Sequence, residues 1–298
     1  MDDCSRAIGR GGWVESFHKN APTARRRWRL LYSADMFRLT REVRFAVNPS
    51  DDGQLAGPPS NSFGGFPSLR GFGNYLALRL TLSGELESAS NYLVNIKRID
   101  AIARQHAIPY ISANVRPDPQ TPERVVAGLL QRLADSWPGL RLEELALALS
   151  PFLTYSASAA ERPMVKLSQK FEFSATHRLH NPGLNEADNQ RTFGKCNNPH
   201  GHGHNYEVQV TLAGEPNANG VLIDIPAFER IVATAVIDRF DHKNLNVELP
   251  EFRELIPTVE NIARVIYRLL VPRFQQAGAK LASVTVWETP KTWSEYSE

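Results

Sequence analysis

Apolar and polar residues alternate through Phe171-Glu-Phe-Ser-Ala-Thr-His177, and a second strand reads from His204 to Gly214. A period of two is the mark of a half-buried β-strand. Further on, Ile262, Val265, Ile266 and Leu269 fall at helical spacing, and Thr258-Val-Glu260 opens that helix with a capping hydroxyl and a carboxylate in its first turn. The same series recurs earlier in the chain. Leu31 to Leu39 echoes Phe171 to Leu179, Gly73 to Gly84 echoes His204 to Gly214, Tyr92-Leu-Val-Asn-Ile96 echoes Val221-Leu-Ile-Asp-Ile225, and Thr121-Pro-Glu123 echoes Thr258-Val-Glu260. Self-similarity of this kind reads as a duplicated unit. Each half then predicts two strands, a pair of helices and two more strands, an α+β unit whose antiparallel four-stranded sheet carries the helix pair on one face. An unrelated α+β domain that matches by chance is the alternative.

Residues 1–27 lack periodicity and read as a mobile tail. The expected domains span 28–156 and 164–298, joined by the small, polar Ser156–Pro163 segment, with loops over Asn48–Ser68 and Asn181–Pro199. A length of 298 residues accommodates two such units at roughly 150 residues each.

Composition narrows the function classes. Hydrophobic residues make up 42%, charged residues 22%, and the net charge is +2, an ordinary globular balance that offers no polyanion-binding surface. The basic run Arg25-Arg-Arg27 with Arg29 reads as solvated charge, so no nucleic-acid partner is expected. No apolar run approaches the roughly 18 residues that cross a bilayer, and the first residues lack a signal-peptide core, which predicts a cytoplasmic chain without a membrane partner. Cys4 and Cys196 are too few for a disulfide framework and fit a reducing compartment.

The chemistry concentrates in Cys196-Asn-Asn-Pro-His-Gly-His202-Gly-His204-Asn-Tyr206. On a strand, His202 and His204 share a face and can chelate one ion, and His177 at the end of the preceding strand supplies a third imidazole. Three imidazoles with no fourth protein ligand describe an open, catalytic zinc site; a structural zinc is closed by four. His200 sits in the Asn-Pro-His-Gly turn and reads as an exposed residue outside the ligand set.

From about Val165 onward the chain resembles the 6-pyruvoyl tetrahydropterin synthases, members of the tunnelling-fold group. The resemblance rests on Phe-Ser-Ala-Thr-His177, Cys196-x5-His202-Gly-His204-Asn-Tyr, Asp241-His242-Lys-Asn-Leu-Asn, Pro-Thr258-Val-Glu260-Asn and Val-Trp-Glu288-Thr, in the family's order. It implies two tandem tunnelling-fold units and conversion of 7,8-dihydroneopterin triphosphate to 6-pyruvoyl tetrahydropterin with elimination of triphosphate. It also implies Zn2+ on His177, His202 and His204, Cys196 as general base, His242 oriented by Asp241 as proton relay, and Glu288 as pterin anchor. Thr258 and Glu260 match positions near the pterin, although helix capping explains them equally, and Asp241-His242 also reads as a charged helix end. The related 6-carboxytetrahydropterin synthases have a shorter gap between cysteine and histidine pair, so the spacing favours the pyruvoyl product; a non-catalytic pterin-binding protein is the rival class. In the first half Met36 or Phe37 is expected where His177 stands, Gly71 and Gly73 at the paired histidines, Leu149 at Glu288, and Gln105-His-Ala does not reproduce Asp241-His242-Lys. That half is expected to be a structural or regulatory partner. Family members close their sheets into barrels by oligomerising, which implies a homo-oligomer, with three tandem chains forming the ring.

Overall fold

The structure, a computed structural model, describes residues 36–49, 61–115 and 119–298. The tail expected over 1–27, the Arg25–Arg29 run, Cys4 and parts of the Leu31–Leu39 and Asn48–Ser68 segments lie outside the described residues.

In the first half β1 (Phe37–Val47) and β2 (Asn74–Gly84) are followed by α1 (Ile96–Ile102), a π-helical turn at Ala103–Ala107, α2 (Ile108–Val115), α3 (Pro122–Leu133), β3 (Arg141–Ala148) and β4 (Leu153–Ser158). The second half follows a similar order with added elements. It contains β5 (Val165–His177), α4 (Glu186–Phe193), β6 (His202–Gly214), α5 (Ile225–Val232), a π-helical turn at Ala233–Ile237, α6 (Asp238–Phe240), the short β7 (Lys243–Asn244), α7 (Leu245–Glu248), α8 (Val259–Gln276), β8 (Leu281–Thr289) and β9 (Thr292–Tyr296). Helix starts are set by side-chain caps: Asn95, Thr121, Asp224 and Thr258 each accept a backbone N–H of the first turn.

The strands form a single sheet in the order β1-β2-β3-β4-β5-β6-β8-β9, antiparallel throughout, with β7 added parallel to β5. One face is apolar. Leu78, Leu80, Leu82, Val208, Val210 and Leu212 share a continuous core with Leu129 and Leu130 of α3 and Ile266, Leu270 and Phe274 of α8. Burying each such side chain contributes about 1.5–3 kcal/mol. The expected α+β class and helix placement are observed, but the Ser156–Pro163 linker is not a spacer between separate sheets. Ser156–Ser158 belong to β4, and β4 pairs with β5 from Leu153↔Gln169 to Ala157↔Val165, so backbone hydrogen bonds run straight across the junction.

Details beyond topology also recur. The ladder shifts register between Thr81 and Leu82 on β2 and between Thr211 and Leu212 on β6. Arg41 of β1 makes a paired 2.9 Å contact with Asp100, and Gln169 of β5 donates to Glu229 at 2.7 Å. Pairing corrects the sequence register of the first half. β1 and β2 pair from Phe37↔Gly84 to Val47↔Asn74; β5 and β6 pair from Val165↔Gly214 through Ala175↔His204 to His177↔His202. Matching Gly84 to Gly214 aligns Phe37 with Val165. The positions of His177, His202 and His204 therefore fall on Pro49, Phe72 and Asn74, rather than on Met36 or Phe37, Gly71 and Gly73. Leu149 does match Glu288, because Leu80↔Leu145 corresponds to Val210↔Val284.

The start of α3 grips the turn ahead of α5. Thr121 Oγ1 donates to the Gly220 carbonyl at 2.6 Å, Arg124 Nη2 to the Ala218 carbonyl at 3.0 Å, and Glu123 Oε1 accepts the Leu222 N–H at 3.1 Å. Glu123 is 1% exposed, and burial pushes its carboxyl above the usual range.

Candidate metal centre

His177 closes β5 and His202 opens β6 directly opposite it; His204, two residues on, shares the face. Gly201 makes the entry possible. Its φ is +73°, and a Cβ there would lie 3.0 Å from the His177 carbonyl oxygen. The fourth member arrives from β8, where the ladder with β9 slips between Trp287 and Thr289 and leaves Glu288 unpaired, a bulge that re-aims its side chain. The ligand atoms of His177, His202, His204 and Glu288 all lie within 4.8 Å of one another.

Hydrogen bonding defines what these atoms offer. Nδ1 of His177 lies 2.7 Å from the Pro257 carbonyl, which can only accept, so this nitrogen is assigned the proton and Nε2 faces the cluster. That Nε2 lies 3.1 Å from Nε2 of His202 and 3.2 Å from Oε1 of Glu288, which is also 3.4 Å from Nε2 of His204. Lone pairs facing one another at contact distance require a shared proton or a cation between them. His204 Nε2 is moreover buried without a hydrogen-bond partner among the described residues. Burial lowers the pKa of both His202 and His204, and the neighbouring His177 reinforces the shift, which keeps them neutral and able to bind metal. In the metal-free site a proton shared with His177, followed by the surrounding imidazoles, holds Glu288 below the ordinary carboxylate range. Three nitrogens and one carboxylate oxygen suit a divalent cation of the zinc type. The three expected imidazoles thus stand together, with the carboxylate of Glu288 adjoining them.

Cys196 is partly exposed in the turn Gly194–Asn197, and its carbonyl accepts the Leu179 N–H at 2.9 Å. The next residue, Asn197, was not singled out in the sequence although it adjoins the thiol. It is 1% exposed and engages Arg178, His180 and Glu186. Asp241 and His242 form the expected pair, with Oδ2 to Nδ1 at 2.7 Å. Asp241 Oδ1 also accepts the Ser174 N–H at 2.8 Å, and this bond, then His242, lowers the carboxyl pKa. The His242 side chain is 84% exposed, whereas His177 is fully buried. Thr258 caps α8, and Glu260 is exposed in its first turn. Pro257, just before that cap, is the residue of this motif that touches the cluster. His200 is exposed in its turn and outside the cluster.

Fold and site together define an antiparallel α+β protein with a cation cradle of three histidines and a glutamate where two strands meet. Residues 166–298 match the family model described as 6-pyruvoyl tetrahydropterin synthase. The 6-pyruvoyl tetrahydrobiopterin synthase of Drosophila melanogaster is 38% identical over 139 residues, 46% of this chain and 82% of that protein. The Homo sapiens protein of the same name is 40% identical over 107 residues, 36% of this chain and 74% of that protein. A solved structure of Caenorhabditis elegans 6-pyruvoyl tetrahydropterin synthase is 36% identical, with a TM-score of 0.44, covering 46% of this chain and 96% of that one. The chain belongs to the 6-pyruvoyl tetrahydropterin synthase family.

Proposed function

We propose that the second half of the chain is a zinc-dependent lyase that converts 7,8-dihydroneopterin triphosphate to 6-pyruvoyl tetrahydropterin and triphosphate. The observation that carries this reading is the convergence of His177, His202, His204 and Glu288 in a member of this family, with the free thiol of Cys196 on the turn that precedes β6. Zinc held by the three imidazoles supplies Lewis acidity toward the hydroxyls of the substrate side chain. Glu288 accepts hydrogen bonds from the amino group and ring N–H of the pterin, and because it adjoins the histidines, a pterin anchored there presents its side chain to the cation. Cys196, as the thiolate, takes the proton from the side-chain carbon, and His242, oriented by Asp241, exchanges protons with the side-chain oxygens. Thr258 and Glu260 border the pterin pocket. The Cys196-x5-His202 spacing favours the pyruvoyl over the 6-carboxy product.

The recurrence of bulges, caps and strand–helix contacts supports two tandem units, with the first lacking the ligands and serving as a structural partner. The sheet edges support a homo-oligomer, because β1 and β9 each have one neighbour among the described strands. Pairing β9 of one copy with β1 of the next, as β4 pairs with β5, sets Glu295 opposite Arg38 and Tyr296 beside Phe37. A ring of three chains is the proposed assembly. A cytoplasmic setting suits the free thiol, no nucleic-acid partner is proposed, and no helix among the described residues is long and apolar enough to cross a membrane.

Incubation of the zinc-loaded protein with 7,8-dihydroneopterin triphosphate, with products identified by mass spectrometry, tests the reading. It predicts triphosphate and 6-pyruvoyl tetrahydropterin. A carboxylated pterin moves the chain to the sister activity, and unchanged substrate leaves a pterin-binding protein.

A further inference from the structure

Tyr206 follows His202 and His204 at a spacing of two, so strand alternation puts its side chain on the face that carries the ligands. It is 0% exposed. Its ring stacks on Phe173 at 5.0 Å and stands edge-on to His177 at 6.0 Å and to His204 at 5.6 Å. Its hydroxyl is buried and makes no hydrogen bond among the described residues. Buried polar groups are nearly always paired, so an orphan at the wall of a reactive cluster asks for a partner that comes with the ligand. Packing does not require the hydroxyl, since a phenylalanine would fill the same space against Phe173. The first half supplies an internal comparison. By the register above, the counterpart of Tyr206 is Leu76, which is buried at 5%. Where Pro49, Phe72, Asn74 and Leu149 stand in place of the three histidines and Glu288, the fold thus has no hydroxyl at this position.

We infer that Tyr206 is a further catalytic residue, whose hydroxyl donates a hydrogen bond to the oxygen that occupies the exchangeable position of the metal centre, a side-chain oxygen of the pterin during turnover. The inference rests on the synthase reading for its substrate. The neutral phenol acts as a donor; no proton leaves it. Its bond strengthens as charge develops on that oxygen, so its loss is felt more in turnover than in binding.

The test is Tyr206→Phe in the full-length, zinc-loaded protein. Zinc stoichiometry and thermal midpoint should be unchanged or higher, while turnover of 7,8-dihydroneopterin triphosphate falls about 100-fold, as for loss of an oxyanion donor. A binding readout separates contact from scaffolding. Affinity for neopterin, which carries the side-chain hydroxyls, should weaken roughly threefold to tenfold, whereas affinity for unsubstituted pterin stays the same. Turnover within twofold of the parent together with unchanged neopterin affinity overturns the inference. So does a variant that weakens both pterins alike and releases zinc, since the hydroxyl would then be structural. If the parent protein itself leaves the triphosphate unchanged, the synthase reading fails, and the comparison of the two pterins still decides the role of Tyr206.

Discussion

Arg178 grips Asn197 twice, donating from Nε to its backbone carbonyl at 3.1 Å and from Nη2 to its side-chain oxygen at 3.0 Å. Arg178 directly follows the ligand His177, and Asn197 directly follows Cys196, so this contact, together with the Leu179 N–H to Cys196 carbonyl bond, ties the segment of the metal cradle to that of the thiol. Asn197→Ala should lower kcat by about 10- to 100-fold with KM nearly unchanged, because a small displacement of a reacting group is costly. Zinc content should stay at one per chain, and loss of the side-chain bonds to Arg178, His180 and Glu186 should cost about 1–3 kcal/mol of stability in urea unfolding. A variant with full kcat removes the positioning role.

Cys196→Ala is expected to abolish turnover while leaving zinc content and pterin affinity within about twofold of the parent, since the thiol acts on the proton rather than on the ring. Steady-state assays alongside fluorescence titration with pterin check this. Retained activity reassigns the base.

Acid should unload the cluster in two stages. His202 and His204 have depressed pKa values, so the stability they contribute is present above the unfolded histidine value, about 6.5, and is lost as pH falls below it. Glu288, also depressed, adds a second loss below about 4.3. The thermal midpoint of metal-free protein should drop between pH 7.5 and 5.5, and the drop should shrink when both histidines are replaced by asparagine. A midpoint that rises on acidification contradicts the neutral, half-buried imidazoles.

Glu123 carries the opposite sign. Its carboxyl pKa is raised by burial, so any stability from it is complete below the unfolded value and lost as pH rises through the folded one. Glu123→Gln keeps an acceptor for the Leu222 N–H and removes a buried charge, and should change stability by less than about 1 kcal/mol. Glu123→Ala orphans that N–H and should cost about 1–3 kcal/mol. Equal losses in the two variants would mean that the charge itself holds the turn.

Much of the fold was legible because periodicity and caps are local. Thr121, Thr258 and the helix through Ile262 were readable, as were the three histidines, whose strand spacing is itself the signal. The register of the first strand was not. Odd-numbered residues point inward in both β1 and β5, so Phe37-x-Leu-x-Arg-x-Val-x-Phe matches Val165-x-Leu-x-Gln-x-Phe-x-Phe, but alternation alone admits any slip by two residues. The inward Arg41 and Gln169, each satisfied by an acid on a helix, mark the match once the helices are in place. The helix within Asn181–Pro199 was missed because its burial is slight and its polar sequence carries no periodic face; Asn185 as cap is the one local cue. The approach of Glu288 to the histidines depends on a bulge and could not be read from spacing.

Metal content and location test the assignment of a zinc cradle most directly. Anomalous diffraction at the zinc edge, from crystals of protein purified with zinc, should show one ion per chain bonded to His177, His202 and His204, with no ion beside Asn74 and Leu149. An empty cluster, or a zinc held elsewhere in the chain, would contradict it.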